Sequence, residues 1–185
     1  MEPEIINEND ELEPEKTGLW KSAMTYGLYY AIISIVITVV FYATGNMTSK
    51  VNQWLGIVIM IVAVVLIQLA YRKQLGGWMT YGQGLGIAVL SMVCASIITA
   101  IFTFVLYKYI DPGLLEQIRL ATEEQMYQRG LPDDQISAAM AVTSKFQTPG
   151  VIALSAIFSM ALIGLIIGAI AAIFTKKQSP DTIFN

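Results

Sequence analysis

Six acidic side chains lie between residues 111 and 134, and they are the residues best suited to acid–base chemistry. They are Asp111, Glu116, Glu123, Glu124, Asp133 and Asp134. A general acid and a general base must reach the same substrate, so two of these carboxylates would have to converge. Glu123 and Glu124 are adjacent, and adjacent side chains on a helix point in different directions. The spacing predicts no catalytic pair, and we expect the chain not to be an enzyme.

The chain also has few residues that could act as a nucleophile or a metal ligand. The chain has no histidine, and Cys94 is its one cysteine. A Cys/His metal site, a disulfide framework and a Ser–His or Cys–His pair all need residues that are absent. We therefore expect no metal and no cofactor, and we interpret Cys94 as a small apolar packing residue.

Arg72 and Lys73 precede a glycine pair, Gly76-Gly77, and this combination could hold a phosphate group. The segment matches neither the G-x-x-x-x-G-K-[ST] nor the G-x-G-x-x-G pattern, so nucleotide binding is a weak interpretation. Paired cations beside a membrane span are attracted to anionic lipid headgroups. The sequence favours this second role for four residues: Arg72, Lys73, Lys176 and Lys177.

Four long stretches without charged residues determine the fold class. They cover about residues 23–42, 54–71, 85–107 and 151–175. A helix needs about 20 mostly apolar residues to cross the hydrocarbon layer. Hydrophobic residues make up 55% of the chain and charged residues 14%, which is unusually apolar for a soluble domain. We predict an all-α membrane protein with four transmembrane helices, occupying residues 18–178.

Small residues recur at every fourth position in three of the predicted spans, so they share one face of each helix. Such stripes let two helix backbones approach closely, either within one bundle or between two copies. The sequence favours packing within one bundle and leaves a homo-oligomer as the alternative. The candidate packing residues are Gly27, Ser91, Ala95, Thr99, Gly164, Gly168 and Ala172.

The connection between the third and fourth spans predicts two further helices outside the membrane, over about residues 113–129 and 133–146. Pro112 ends the third span, and Gly130 ends the first of the two helices. Pro132 then precedes the second helix, whose first turn is acidic. We predict a helical hairpin that caps the bundle, with a docking surface for a partner as the alternative.

Basic residues near the span ends predict the orientation. Short cytoplasmic connections are enriched in Lys and Arg, so both termini are expected in the cytoplasm. Residues 1–17 form an acidic segment that we expect to be disordered, and residues 179–185 form a short C-terminal tail. With both termini inside, the cytoplasmic cations are Lys16, Lys21, Arg72, Lys73, Lys176 and Lys177.

Over residues 18–178 the chain resembles a bacterial family, Domain of Unknown Function 4199. The likeness rests on the four spans, the mixed polar helices between the last two, and several short motifs. These motifs are Gly76-Gly77, Tyr81-Gly82-Gln83, Ile110-Asp111-Pro112, Gly130, Ile136 and Lys176-Lys177. The resemblance implies a small protein of the Gram-negative inner membrane, and it suggests a membrane-associated glycosyltransferase as a partner. It supplies no catalytic residues.

The leading functional hypothesis is a non-enzymatic scaffold or regulatory subunit of an envelope or lipid-linked glycan system. We expect the lipid bilayer as surroundings and no nucleic acid as a partner. The alternative is a small transporter or flippase-like carrier for a hydrophobic or lipid substrate. That alternative requires a polar cavity at mid-membrane, lined by Gln68, Ser91, Thr99 or Ser159.

Overall fold

The computed structural model describes residues 18–177, and six α-helices dominate this range. They are α1 (Leu19–Ala43), α2 (Lys50–Gln74), α3 (Tyr81–Val105), α4 (Leu114–Gln128), α5 (Asp133–Phe146) and α6 (Pro149–Thr175). A π-helical turn, Leu106–Ile110, extends α3. The predicted acidic segment and the C-terminal tail lie outside the described residues.

Local sequence signals fix where several of these helices begin. The Thr80 hydroxyl accepts a hydrogen bond from the backbone N–H of Gln83, and the Gln83 side chain accepts one from the Thr80 N–H. This reciprocal capping box satisfies two backbone donors that a helix start leaves free. Ser49 caps α2 through the N–H of Asn52, and Thr148 caps α6 just before a proline.

Glycines end three of the helices. Gly45, Gly76 and Gly130 have φ angles of 69°, 77° and 74°, in the left-handed region that glycine tolerates best. Each follows the last residues of α1, α2 and α4 respectively, and its N–H bonds back to a carbonyl three residues earlier. This is the Schellman arrangement, which satisfies the last carbonyls of a helix and turns the chain away from its axis.

Four helices are long and apolar enough to cross a membrane: α1, α2, α3 with its π-helical turn, and α6. The shortest have 25 residues, which at 1.5 Å per residue corresponds to about 37 Å, more than the roughly 30 Å of a hydrocarbon layer. Large apolar side chains point away from the protein, including Phe158 (72% exposed) and Phe174 (81% exposed). Such a surface suits lipid and not water, so the chain is a multi-pass membrane protein.

Helix α3 is central, because it packs most extensively against α6 and α1, while α2 packs against α6 and α3. Consecutive spans run in opposite directions. The Ser22 hydroxyl at the start of α1 donates to the Gln74 side chain at the end of α2, over 2.8 Å. Met79, before α3, and Lys177, after α6, exchange two backbone hydrogen bonds of 2.8 and 2.9 Å. We call this side of the bundle the basic end.

The opposite end of the bundle carries α4 and α5. There the Tyr42 hydroxyl near the end of α1 donates to the Asp111 carboxylate over 3.3 Å. Leu114 of α4 is buried, as are Ile136 and Met140 of α5. The two helices contact each other, and a turn at Gly130 separates them.

Candidate functional site

The side chain of Gln68 connects three transmembrane helices near the basic end. Its Nε2 donates hydrogen bonds to the backbone carbonyls of Gly84 in α3, at 3.0 Å, and Gly168 in α6, at 2.9 Å. Its Oε1 accepts a bond of 2.7 Å from the hydroxyl of Thr175 in α6. We call these four residues the Gln68 network.

Complete pairing explains how this amide is tolerated inside an apolar bundle. A glutamine amide has two N–H donors and one oxygen acceptor, and all three functions are used. Gln68 is 0% exposed, and an unpaired amide at that depth would cost several kcal/mol. Thr175 also donates to the Ala171 carbonyl at 3.0 Å, so its hydroxyl is shared between α2 and its own helix.

Small residues allow the helices to approach closely enough for the network to form. A Cβ atom placed on Gly168 would lie 2.8 Å from the Cβ of Ala88 in α3. One placed on Gly84 would lie 3.3 Å from the Cβ of Ala172 in α6. Missing side chains at these positions bring the α3 and α6 backbones together and present both carbonyls to Gln68.

Close approach also holds α1 against α3. A Cβ atom on Gly27 would lie 2.7 Å from the carbonyl oxygen of Ser91 and 3.2 Å from the backbone nitrogen of Ala95. Further along α6, one on Gly164 would lie 2.9 Å from the Cβ of Met92. The structure therefore brings the predicted packing residues together within one chain.

Thr99, the remaining packing candidate, has a different environment. Its hydroxyl donates to carbonyls of its own helix, Ala95 at 3.1 Å and Ser96 at 3.2 Å. Both bonds stay within α3, so they connect the Thr99 hydroxyl to no other helix.

A second set of polar contacts lies at the surface of the basic end. Arg72 is half-buried, and its guanidinium donates a 3.0 Å hydrogen bond to the carbonyl of Thr175. The Lys177 ammonium lies 4.7 Å from the centroid of the Trp78 ring, a cation–π distance. Lys73 and Lys176 are exposed. The four predicted headgroup residues therefore share one end of the bundle, although Arg72 already binds a carbonyl.

The model of the family described as Protein of unknown function (DUF4199) matches residues 25–177. The chain belongs to this family. The match begins within α1, covers the other three transmembrane helices completely and includes every residue of the Gln68 network. No match to the chain was found among the curated proteins or the solved structures.

Within residues 18–177 the acidic residues of the DUF4199 chain lie apart from the Gln68 network. Arg119 donates two hydrogen bonds to Glu116, of 2.6 and 2.9 Å, and lowers the pKa of that carboxyl below its ordinary value. Glu124 accepts from Gln128, and Asp111 accepts from Tyr42. Within residues 18–177 no three carboxylate, histidine or cysteine side chains come together as metal ligands.

The sequence reveals Gln68 but not its role in the DUF4199 chain. A lone amide in an apolar span is a visible signal, because polar side chains there are costly unless they are paired. Its partners are two glycine carbonyls and a threonine 16, 100 and 107 residues away. Those separations depend on which helix faces meet, and no local pattern specifies this.

Proposed function

We propose that this DUF4199 protein is a non-enzymatic scaffold or regulatory subunit of the bacterial inner membrane. It acts through its lipid-facing and extramembrane surfaces on an envelope or lipid-linked glycan system. The observation that supports this role most strongly is the Gln68 network, which fills the core between α2, α3 and α6 with satisfied contacts. A bundle closed at this end leaves its outer faces available for function.

The transporter alternative has less support than the scaffold role. It needs Gln68, Ser91, Thr99 or Ser159 to line a polar cavity. Gln68 is sealed by its three partners. Ser91 is fully buried at the contact with α1, although its hydroxyl has no hydrogen-bond partner among the described residues. Thr99 bonds to its own helix, while Ser159 is exposed on the outer surface of α6.

The proposed orientation places both termini and the basic end in the cytoplasm. The support is the clustering of Lys21, Arg72, Lys73, Lys176 and Lys177 at that end, since cytoplasmic connections are enriched in cations. α4 and α5 then form an extramembrane helical hairpin on the other side. Single cysteines at Ser144 and Lys73, in a Cys94→Ala background, test this with a membrane-impermeant maleimide. Labelling at 144 but not at 73 in intact cells is expected, and the reverse pattern contradicts the orientation.

The proposed partner is a membrane protein, with a membrane-associated glycosyltransferase as the candidate that the family resemblance suggests. A second copy of the chain is the other candidate. Both would contact the exposed face of a transmembrane helix, where side chains such as Trp54 and Phe174 are 69% and 81% exposed.

Photocrosslinking in native membranes tests the proposal. A benzophenone amino acid replaces Ile101, Phe174 or Trp54 in separate variants, and the buried Met92 serves as the matched control. We expect one reproducible protein neighbour from at least one exposed position and none from position 92. Recovery of the protein alone, crosslinked only to lipid from every exposed position, would contradict a scaffold role.

A further inference from the structure

Helix α5 carries an apolar flank that no other described element covers. Val142 is 58% exposed and Phe146 is 60% exposed, one turn apart near the end of the helix. The buried face of α5 is formed by Ile136 and Met140, which pack against the protein. The exposed pair therefore adds a second apolar surface to a helix whose core-facing side is already occupied.

The helical repeat shows where this flank points. At 100° per residue, Val142 and Phe146 lie roughly 80–120° to one side of Ile136, and Ser144 lies roughly 80° to the other side. Ser144 and Lys145 are exposed like Phe146, but they occupy the remaining polar part of the circumference. Val142 and Phe146 therefore form an apolar stripe along one side of α5, and the polar residues lie on another side.

The stripe is continuous with the lipid-facing surface of α6. Only Gln147 and Thr148 separate α5 from α6, so the last turn of α5 must lie where α6 enters the membrane. Phe146 lines an open groove of about 670 Å³ together with Leu154 and Phe158 of α6 and Val93 of α3. Two of these residues, Leu154 and Phe158, are about 70% exposed on a membrane-spanning helix.

The distribution of charge along α5 also indicates that its last turns face the membrane. Its first turn contains Asp133 and Asp134, whereas its last two turns contain Val142 and Phe146. Phe146 comes thirteen positions after Asp133, which at 1.5 Å per residue is about 20 Å along the axis. One end of the helix is therefore suited to water and the other to hydrocarbon, with Lys145 long enough to reach the headgroups.

We propose that the last two turns of α5, unlike the rest of the extramembrane hairpin, insert into the membrane interface at the end opposite the basic end. Val142 and Phe146 enter the acyl region, and a lipid acyl chain occupies the groove between Phe146 and α6. The occupant is bilayer lipid, because the groove opens along a spanning helix and its rim is apolar. This inference concerns the bilayer alone and does not depend on the proposed scaffold role.

Site-directed spin labelling of the full chain in phosphatidylcholine–phosphatidylglycerol vesicles tests this proposal. In a Cys94→Ala background, single cysteines replace Phe146, Val142 or Ser144, and a cysteine at Phe158 provides the reference for a lipid-facing side chain. Oxygen concentrates in the bilayer and a neutral nickel chelate stays in water, so the ratio of their collision rates reports depth. Circular dichroism checks that each variant keeps its helical content.

We expect the oxygen-to-nickel ratio at 146 and 142 to be several-fold higher than at 144 and to approach the ratio at 158. A ratio at both 142 and 146 as low as that at 144 would overturn the proposal, because it would place the stripe in water. Immobile labels at 142 and 146 that neither reagent reaches would also overturn it, because a protein and not lipid would then cover the stripe. Since Val142 is a second, independent position, a folding defect of one variant leaves the test intact.

Discussion

The Thr175 hydroxyl donates a 2.7 Å hydrogen bond to Gln68 Oε1 and so joins the end of α6 to the interior of α2. The two residues are 107 positions apart, and both are buried. The surrounding protein shields both side chains, so the two groups have few other partners. The bond, with the two that Gln68 donates to Gly84 and Gly168, closes the bundle near its basic end.

Replacing the amide should loosen the bundle. We expect Gln68→Leu to lower the free energy of unfolding by roughly 1–2 kcal/mol, because hydrogen bonds between membrane helices contribute about 0.6 kcal/mol each on average. Titration of the purified protein with SDS in dodecyl maltoside micelles, followed by circular dichroism, measures this change. The control is Gln53→Leu, an exposed amide in the first turn of α2, which should change stability by less than about 0.5 kcal/mol. Equal effects of the two substitutions would contradict the role of Gln68.

Adding a single methyl group at Gly168 should force α3 and α6 apart. In Gly168→Ala the new Cβ would lie 2.8 Å from the Cβ of Ala88, a short side chain that cannot swing away. We expect a loss of about 1–3 kcal/mol, as overpacking usually produces, measured by the same SDS titration.

Gly56→Ala is the matched control for Gly168→Ala. Gly56 is also inside a transmembrane helix, but a Cβ there meets no atom within 4 Å. Alanine has the better helix propensity, so this variant should be neutral or more stable, by up to about 1 kcal/mol. If Gly168→Ala behaved like Gly56→Ala, the close α3–α6 approach would be wrong.

The sequence predicts the fold class and the family, but not every detail of how the helices pack. The four-span helical fold is confirmed, and so is the resemblance to the DUF4199 family. Some helix ends depend on local signals that act within a few residues, such as Gly130 after α4. The Thr80–Gln83 capping box is also local, but the predicted third span does not take it into account, and α3 begins at Tyr81 and not near residue 85. Gly27 and Gly168 recur with other small residues at helical spacing, and a Cβ atom on either would lie less than 3.0 Å from an atom of α3.

The partners across the bundle could not be predicted in the same way. A small-residue stripe fits a helix of the same chain as well as a helix of a second copy, and nothing in one sequence separates the two. The pairing of Gln68 with Thr175, and of Lys177 with the Trp78 ring, depends on how α2, α3 and α6 are arranged. Tertiary packing determines that arrangement, and the spacing of residues along the sequence does not indicate it.

The cations of the basic end should bind anionic lipid. The triple variant Lys73→Gln, Lys176→Gln, Lys177→Gln should reduce the stabilisation that phosphatidylglycerol gives over phosphatidylcholine, by about 1 kcal/mol per lysine removed. Arg72 is left intact because it binds the Thr175 carbonyl. Thermal unfolding in nanodiscs of the two lipid compositions measures the difference.

Two lysines at the other end of the bundle provide the control for that triple variant. Lys50 begins α2 and Lys145 lies in the last turn of α5. The variant Lys50→Gln, Lys145→Gln should retain most of the lipid-dependent stabilisation. A loss in the control as large as in the triple variant would show that net charge, and not the basic end, is responsible.

The central claim is that Gln68 and Thr175 hold α2 and α6 together directly. A double-mutant cycle of Gln68→Leu and Thr175→Val, by SDS titration, measures this most directly, because it isolates the energy that depends on both side chains. We predict a favourable coupling of about 0.5–1.5 kcal/mol, in the range found for hydrogen bonds between membrane helices. Additive effects of the two substitutions, with a coupling near zero, would contradict the closed core on which the proposed function rests.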